Sequence, residues 1–234
     1  MKNIIITGAS KGIGRAIALK FAKEGFAIAA CARNEKDLKA LEVDVMLLAP
    51  GPPHIFLSCD MSDTAQVKGF ADKILQQWTS VGILVNNAGV FLPGQVINEA
   101  EGTLEKLIDT NLYSAYYMTR GIIPFMLKNN SGHIFNMCSV ASLHAYPNGG
   151  SYSISKYALL GFSKALREEL KTCNIKVTSL MPGATLTDSW AGTDLPESRF
   201  MKAEDIAQLI FDIYNLSANT VIEDVVLRPV LGDI

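Results

Sequence analysis

Tyr152 and Lys156 stand four residues apart within the stretch YSISK. On a helix that spacing puts both side chains on one face. A free phenol ionises near pH 10, too high for easy proton exchange at neutrality. A neighbouring positive charge makes such a phenol more acidic. A tyrosine beside a lysine is therefore a candidate proton donor and acceptor. A second group, Gly8, Ser10, Lys11, Gly12, Ile13 and Gly14, lies between the apolar run IIIT and an amphipathic stretch. Glycines there admit positive φ and let a ligand approach the main chain with no Cβ in the way. A helix opening at that point offers unpaired N–H groups and the positive end of its dipole, which suits a pyrophosphate. A P-loop is excluded, because no Gly-Lys is followed by Ser or Thr.

The elements that must position these residues alternate between short β-rich runs and longer helical patterns. Strands are expected at Asn3–Thr7, Phe26–Cys31, Ile55–Ser58, Ile83–Val85, His133–Cys138, Lys176–Leu180 and Val221–Leu227. Helices are expected at Gly12–Glu24, Glu35–Leu48, Asp63–Thr79, Thr103–Asn129, Ser151–Cys173 and Ala203–Leu216. Such alternation implies right-handed βαβ crossovers and a Rossmann-type doubly wound α/β fold, with a parallel sheet of about seven strands and helices on both faces. The strands read as continuous apolar runs, as expected when both faces are covered. No Pro-, Gly- or Ser-rich linker divides residues 1–234, so a single domain is expected.

Ligands of such sheets bind beyond the carboxyl ends of the strands. That places chemistry at Thr7–Gly14, Ala32–Asn34, Asp60–Met61, Asn86–Gly89, Ser139 and Pro182–Gly183. The second strand ends Ala-Cys-Ala-Arg33-Asn34, without the acidic residue that would accept a bond from the ribose 2′-hydroxyl of NAD. Arg33 can fork onto a 2′-phosphate and Lys11 adds a second positive charge, so NADPH is the expected cofactor.

Composition narrows the remaining choices. The 21 basic and 23 acidic residues give a net charge of −2, with no basic face for nucleic acid. Cys31, Cys59, Cys138 and Cys173 are scattered without a CxxC pair, and His54, His133 and His144 show no ligand spacing, so no metal is expected. The opening apolar run is too short for a signal peptide and no stretch suits a membrane span. A soluble, cytoplasmic protein is the expectation.

Thr7–Gly14, the NNAG at Asn86–Gly89, Asn111, Ser139, YSISK at Tyr152–Lys156 and the PG at Pro182–Gly183 together resemble the short-chain dehydrogenase/reductase family, in order and spacing. The resemblance implies that Tyr152 is the general acid in carbonyl reduction and that Lys156 lowers its pKa and holds the nicotinamide ribose. Ser139 would hydrogen-bond the substrate carbonyl, and Asn111 would hold a water leading from Lys156 to solvent. Asp60 and Met61 would touch the adenine, Asn87, Ala88 and Gly89 would line the adenosine and ribose, and Thr185 would reach the carboxamide and phosphates. The polar stretch after Pro182-Gly183, carrying Trp190, reads as a lid over the substrate. Within the family, SGHIF at Ser131–Phe135, Trp190 and the ending LRPVLGDI resemble bacterial sepiapterin reductase-like members. That implies a pterin side-chain ketone as substrate, with Asp233 pairing to pterin nitrogens. A 3-oxoacyl thioester, or a general carbonyl or sugar, is the rival substrate. A non-catalytic NADP-sensing regulator is the rival from another class. The family also implies a homodimer or homotetramer, through an apolar face carrying Tyr113, Tyr116, Tyr117, Leu159 and Phe162.

Overall fold

The computed structural model describes residues 2–190 and 192–234. Seven strands form one parallel sheet in the order β3-β2-β1-β4-β5-β6-β7. They are β1 (Asn3–Thr7), β2 (Ala27–Ala32), β3 (Ile55–Ser58), β4 (Ile83–Asn86), β5 (Gly132–Met137), β6 (Ile175–Pro182) and β7 (Asp224–Leu227). The helices are α1 (Gly12–Lys23), α2 (Glu35–Leu48), α3 (Thr64–Gln77), α4 (Thr103–Ile108), α5 (Ser114–Lys128), α6 (Gly150–Leu170) and α7 (Ala203–Tyr214).

The alternation of side chains along a strand splits the core into two layers. Ile4 and Ile6 face a layer with Ile17, Phe21, Leu41 and Ile210, from α1, α2 and α7. Ile5 between them faces Phe70, Ile74, Ile122 and Leu166, from α3, α5 and α6. Each such side chain, fully removed from water, contributes roughly 1.5–3 kcal/mol. Covering both faces is what leaves β1, β2 and β4 buried along their whole length. Among the described residues no helix is long and apolar enough to cross a membrane.

The expected helix over Ser151–Cys173 ends at Leu170 in a 3₁₀ turn and the sixth strand runs on to Pro182, and two other elements depart from the sequence expectation as well. The single helix expected over Thr103–Asn129 is broken by a π-helical turn at Asp109–Tyr113. There the Asn111 side chain is drawn to Val90 and Ser155, and the Ser114 hydroxyl takes up the carbonyl of Thr110. The last strand is shorter than expected, starting at Asp224, where pairing with Ser179 begins. On the expected association face, Leu159 is buried within the chain and Phe162 packs against the core, while Tyr113 stays exposed.

Candidate active site

The strand order reverses direction between β1 and β4, which opens a crevice at their carboxyl ends. A cavity of about 710 Å³ fills that crevice and runs to the ends of β5 and β6. Its floor is the glycine turn after β1. Gly8 and Gly12 have φ of +64° and +52°, a region costly to side chains. A Cβ on Gly14 would lie 2.4 Å from the Gly8 carbonyl oxygen and 2.6 Å from Asn87 Nδ2. Asn87 Nδ2 donates to the Thr7 and Gly8 carbonyls, both at 2.9 Å, and so staples the turn to the end of β4. Thr7 Oγ1 accepts from the N–H groups of Asn87 and Ala88, both at 3.0 Å. No side chain caps the start of α1, so its first N–H groups face the cavity without a side-chain partner. A pyrophosphate fits such a cradle on both charge and space.

Gly8, Ser10, Lys11, Gly12 and Ile13 line this end, with Arg33 and Asn34 beyond β2. Gly14 does not line it; it acts from beneath by leaving room for Asn87. Asn34 accepts the N–H of Asp37 and caps α2. Lys11 lies 3.3 Å from Asp37 and 3.1 Å from Asp188, two carboxylates that raise its pKa. Asp60 and Met61 line the wall below β3. One carboxylate oxygen of Asp60 is engaged in its own turn, by the N–H and hydroxyl of Ser62 at 2.9 and 2.8 Å. Met61 Sδ sits 3.5 Å from the sulfur of Cys31 and 3.7 Å from that of Cys59. Burial pushes the Cys31 thiol well up, whereas its hydrogen bond brings Cys59 down.

Ser139, Tyr152 and Lys156 border the other end of the same cavity, with Asn87, Ala88 and Gly89 between the two ends. Ser139 follows β5 and accepts the N–H of Ala141 at 3.1 Å, while its own N–H donates to Ser142 Oγ at 3.2 Å. Those bonds fix its rotamer and leave its hydroxyl hydrogen to donate. Tyr152 and Lys156 lie on one face of α6, with the ammonium 5.8 Å from the ring centroid. Lys156 is 95% buried and donates to the Met137 carbonyl at 2.8 Å. A buried ammonium has three donors to satisfy, and the Met137 bond takes one of them. Phe91 meets the Tyr152 ring edge-on at 4.9 Å. A second phenol, Tyr146, also lines the cavity, but burial pushes it up to about 12.

Asn111 does not line the cavity. Its side chain accepts from Val90 N–H at 2.8 Å and donates to Val90 O and Ser155 Oγ at 3.0 and 2.9 Å. The side chain is thereby spent on joining the loop after β4 to α6. Pro182, Gly183 and Thr185 line the cavity at the end of β6. Thr185 Oγ1 donates to the Gly183 carbonyl at 3.1 Å. Trp190 lines the mouth and leans on Phe200, ring centroids 5.1 Å apart. Ala191, inside the expected lid, lies outside the described residues. Asp233 also lines the cavity, but its carboxylate is ion-paired to Arg228.

Sequence reasoning missed Glu99. Its carboxylate accepts the N–H of Ser151 at 3.4 Å and also the Ser151 hydroxyl. The N-cap of α6 is Gly149, which has no side chain, so Glu99 caps the helix from another loop. No spacing signal links positions 52 residues apart. Thr187 and Asp188 were missed as floor residues because the segment after β6 folds back onto the glycine turn. Thr187 Cγ2 comes within 3.0 Å of where a Cβ on Gly12 would be.

A doubly wound sheet with a glycine-floored crevice and a Tyr–Lys pair at its rim defines a Rossmann-type oxidoreductase. Residues 2–197 match the short chain dehydrogenase family, and the chain belongs to it. The sepiapterin reductase of Chlorobaculum tepidum is 33% identical over 100% of this chain and 99% of its own. A 3-oxoacyl-acyl-carrier-protein reductase of Thermotoga maritima is 31% identical over 89% of this chain and 88% of its own. An alcohol dehydrogenase of Thermococcus sibiricus, solved with 5-hydroxy-NADP, superposes with a TM-score of 0.91. It is 25% identical, and the match covers 100% of this chain and 99% of that one.

Proposed function

We propose that the chain is an NADPH-dependent carbonyl reductase acting on a side-chain ketone of a pterin. The observation that carries this reading is one cavity with an anion cradle at one end and Ser139, Tyr152 and Lys156 at the other. Gly8 to Ile13 and the start of α1 hold the pyrophosphate, with Gly14 giving the turn its room from beneath, while Arg33 and Lys11 take the 2′-phosphate. Asp60, Met61 and Asn87–Gly89 flank the adenosine, and Pro182 to Thr185 flank the nicotinamide. When bound, the cofactor supplies the hydride, so the protein has only to orient the carbonyl and deliver a proton.

Ser139 directs its free hydroxyl hydrogen at the carbonyl oxygen and stabilises charge developing there. Tyr152 gives that oxygen its proton. Lys156 holds the ribose and supplies positive charge beside the phenol. Asn111 positions both by fixing Val90 and Ser155.

Phe91, Tyr146, Tyr152 and Trp190 surround the reacting end, and aromatic walls favour a flat heteroaromatic ring. The full-length similarity to a sepiapterin reductase supports the same substrate. Asp233 can serve pterin nitrogens only by sharing its carboxylate with Arg228. A 3-oxoacyl thioester is the second reading, favoured by an apolar groove of about 660 Å³ that shares Tyr146 and includes Val96, Ile97 and Tyr157. Exposed Tyr113, Leu127, Ile154 and Tyr157 on and beside α5 and α6 support pairing into dimers or tetramers.

NADPH oxidation measured with sepiapterin, a 3-oxoacyl thioester and a ketose separates these readings. The pterin should give the highest kcat/KM. Preference for the thioester would move the assignment, and tight NADPH binding without turnover of any carbonyl would favour the regulator. Arg33→Ala should raise KM for NADPH far more than for NADH.

A further inference from the structure

Lys11 belongs to the nucleotide end of the cavity, yet its ammonium is already held by two carboxylates from different elements. Asp37 stands in the first turn of α2, 3.3 Å away, and Asp188 stands in the lid, 3.1 Å away. Both line the cavity beside Arg33, so this corner carries two positive and two negative side chains. A phosphate entering it is attracted by Lys11 and Arg33 and repelled by Asp37 and Asp188. The two carboxylates are not equally able to yield. Asp37 is fixed on a helix capped by Asn34 and is 27% exposed. Asp188 begins a single 3₁₀ turn and is 70% exposed.

We propose that Lys11 is a latch for the lid: it clasps Asp188, and a 2′-phosphorylated adenine nucleotide takes Lys11 from Asp188 and releases the lid. This rests on the cofactor reading above and adds to it a coupling between the phosphate and the substrate mouth. The ammonium has three donors, so Lys11 keeps Asp37 while exchanging Asp188 for the phosphate. Trp190 follows Asp188 by two residues and borders the mouth, so release moves a wall of the substrate site. The trigger is the 2′-phosphate itself. A nucleotide lacking it leaves the latch closed, which makes Asp188 a determinant of cofactor selectivity and not only of lid position.

Acrylamide quenching of tryptophan fluorescence tests this on the whole chain. The two tryptophans differ sharply, since Trp78 is 98% buried and Trp190 is partly exposed, so the quencher reports Trp190. Adenosine 2′-phosphate should increase quenching in the wild type, and adenosine 5′-phosphate should not. Asp188→Asn should show the increased quenching before any nucleotide is added and no further change with it. The same variant should bind adenosine 2′-phosphate two- to fivefold more tightly, the range an exposed ion pair supplies. That gain should shrink as salt is raised. Asp194→Asn, a neutralisation further along the segment, should behave as wild type. Binding of adenosine 2′-phosphate without a change in quenching, or Asp188→Asn matching the wild type, overturns the latch alone. Adenosine 2′-phosphate binding no more tightly than adenosine overturns the cofactor reading together with it.

Discussion

Gly14→Ala should be among the most damaging single-methyl additions this chain can suffer, although Gly14 touches no part of the cavity. The added Cβ would stand 2.4 Å from the Gly8 oxygen, 2.6 Å from Asn87 Nδ2 and 3.0 Å from Ala9 Cα. Carbon needs about 3.5 Å from such neighbours, so the end of β1 or the loop after β4 must retreat by about 1 Å. Overpacking of this kind costs about 1–3 kcal/mol. The two Asn87 bonds to Thr7 and Gly8 are lost with it, about 1 kcal/mol each. The sum is about 3–5 kcal/mol. Unfolding entropy of about 2.1 cal/mol/K per residue amounts to about 0.5 kcal/mol/K over 234 residues, so Tm should fall by about 6–10 °C. Gly69→Ala is the matched control, because its Cβ meets nothing within 4 Å in the exposed interior of α3. It should gain about 0.5–1 kcal/mol, or 1–2 °C by the same conversion. Scanning calorimetry with NADPH titration reads both. A Gly14→Ala protein melting within 2 °C of wild type and binding NADPH equally well would refute the reasoning.

Acid should destabilise the fold through His133, whose pKa burial lowers to about 3. Thr178 Oγ1 donates to the Ile222 carbonyl, so it accepts from His133 Nε2–H and the imidazole is neutral when folded. The unfolded chain binds this proton from about pH 6.5 downward and the folded chain only near 3, so stability is complete above 6.5 and declines toward 3. Urea unfolding should show about 2 kcal/mol lost between pH 7 and 5, and a His133→Phe variant should lose that slope. Glu99→Gln weakens the cap under Tyr152 and should cost about 1 kcal/mol of stability. It should lower kcat while leaving NADPH affinity within twofold of wild type, since Glu99 acts on the start of α6 and not on the cradle. Iodoacetamide at pH 8 should label half-buried Cys173 and spare Cys138, which burial pushes up to about 12, as peptide mass spectrometry would show.

Much of the fold was legible because its signals are local. The runs III and AIAACA need two apolar faces, and the ends of α2 and β3 fall where sequence periodicity puts them. The resemblance also brought most expected site residues to one cavity, because strand ends of a parallel sheet converge by topology. What stayed hidden depends on contacts between distant segments. The π-helical turn arises from the Asn111 bonds to Val90 and Ser155, 21 and 44 residues away. The Glu99 cap and the Lys11–Asp188 clasp are likewise products of chain packing. None of them leaves a periodic trace.

The most direct measurement is single-turnover NADPH oxidation by Tyr152→Phe, with NADPH affinity measured on the same preparation. Removing the phenol hydroxyl takes away the proton donor and leaves the phosphate cradle intact, so the rate should fall by about 100- to 10,000-fold while affinity stays within a few-fold. A variant that reduces its carbonyl at close to the wild-type rate would mean that the proton comes from elsewhere and that Tyr152 is a packing residue.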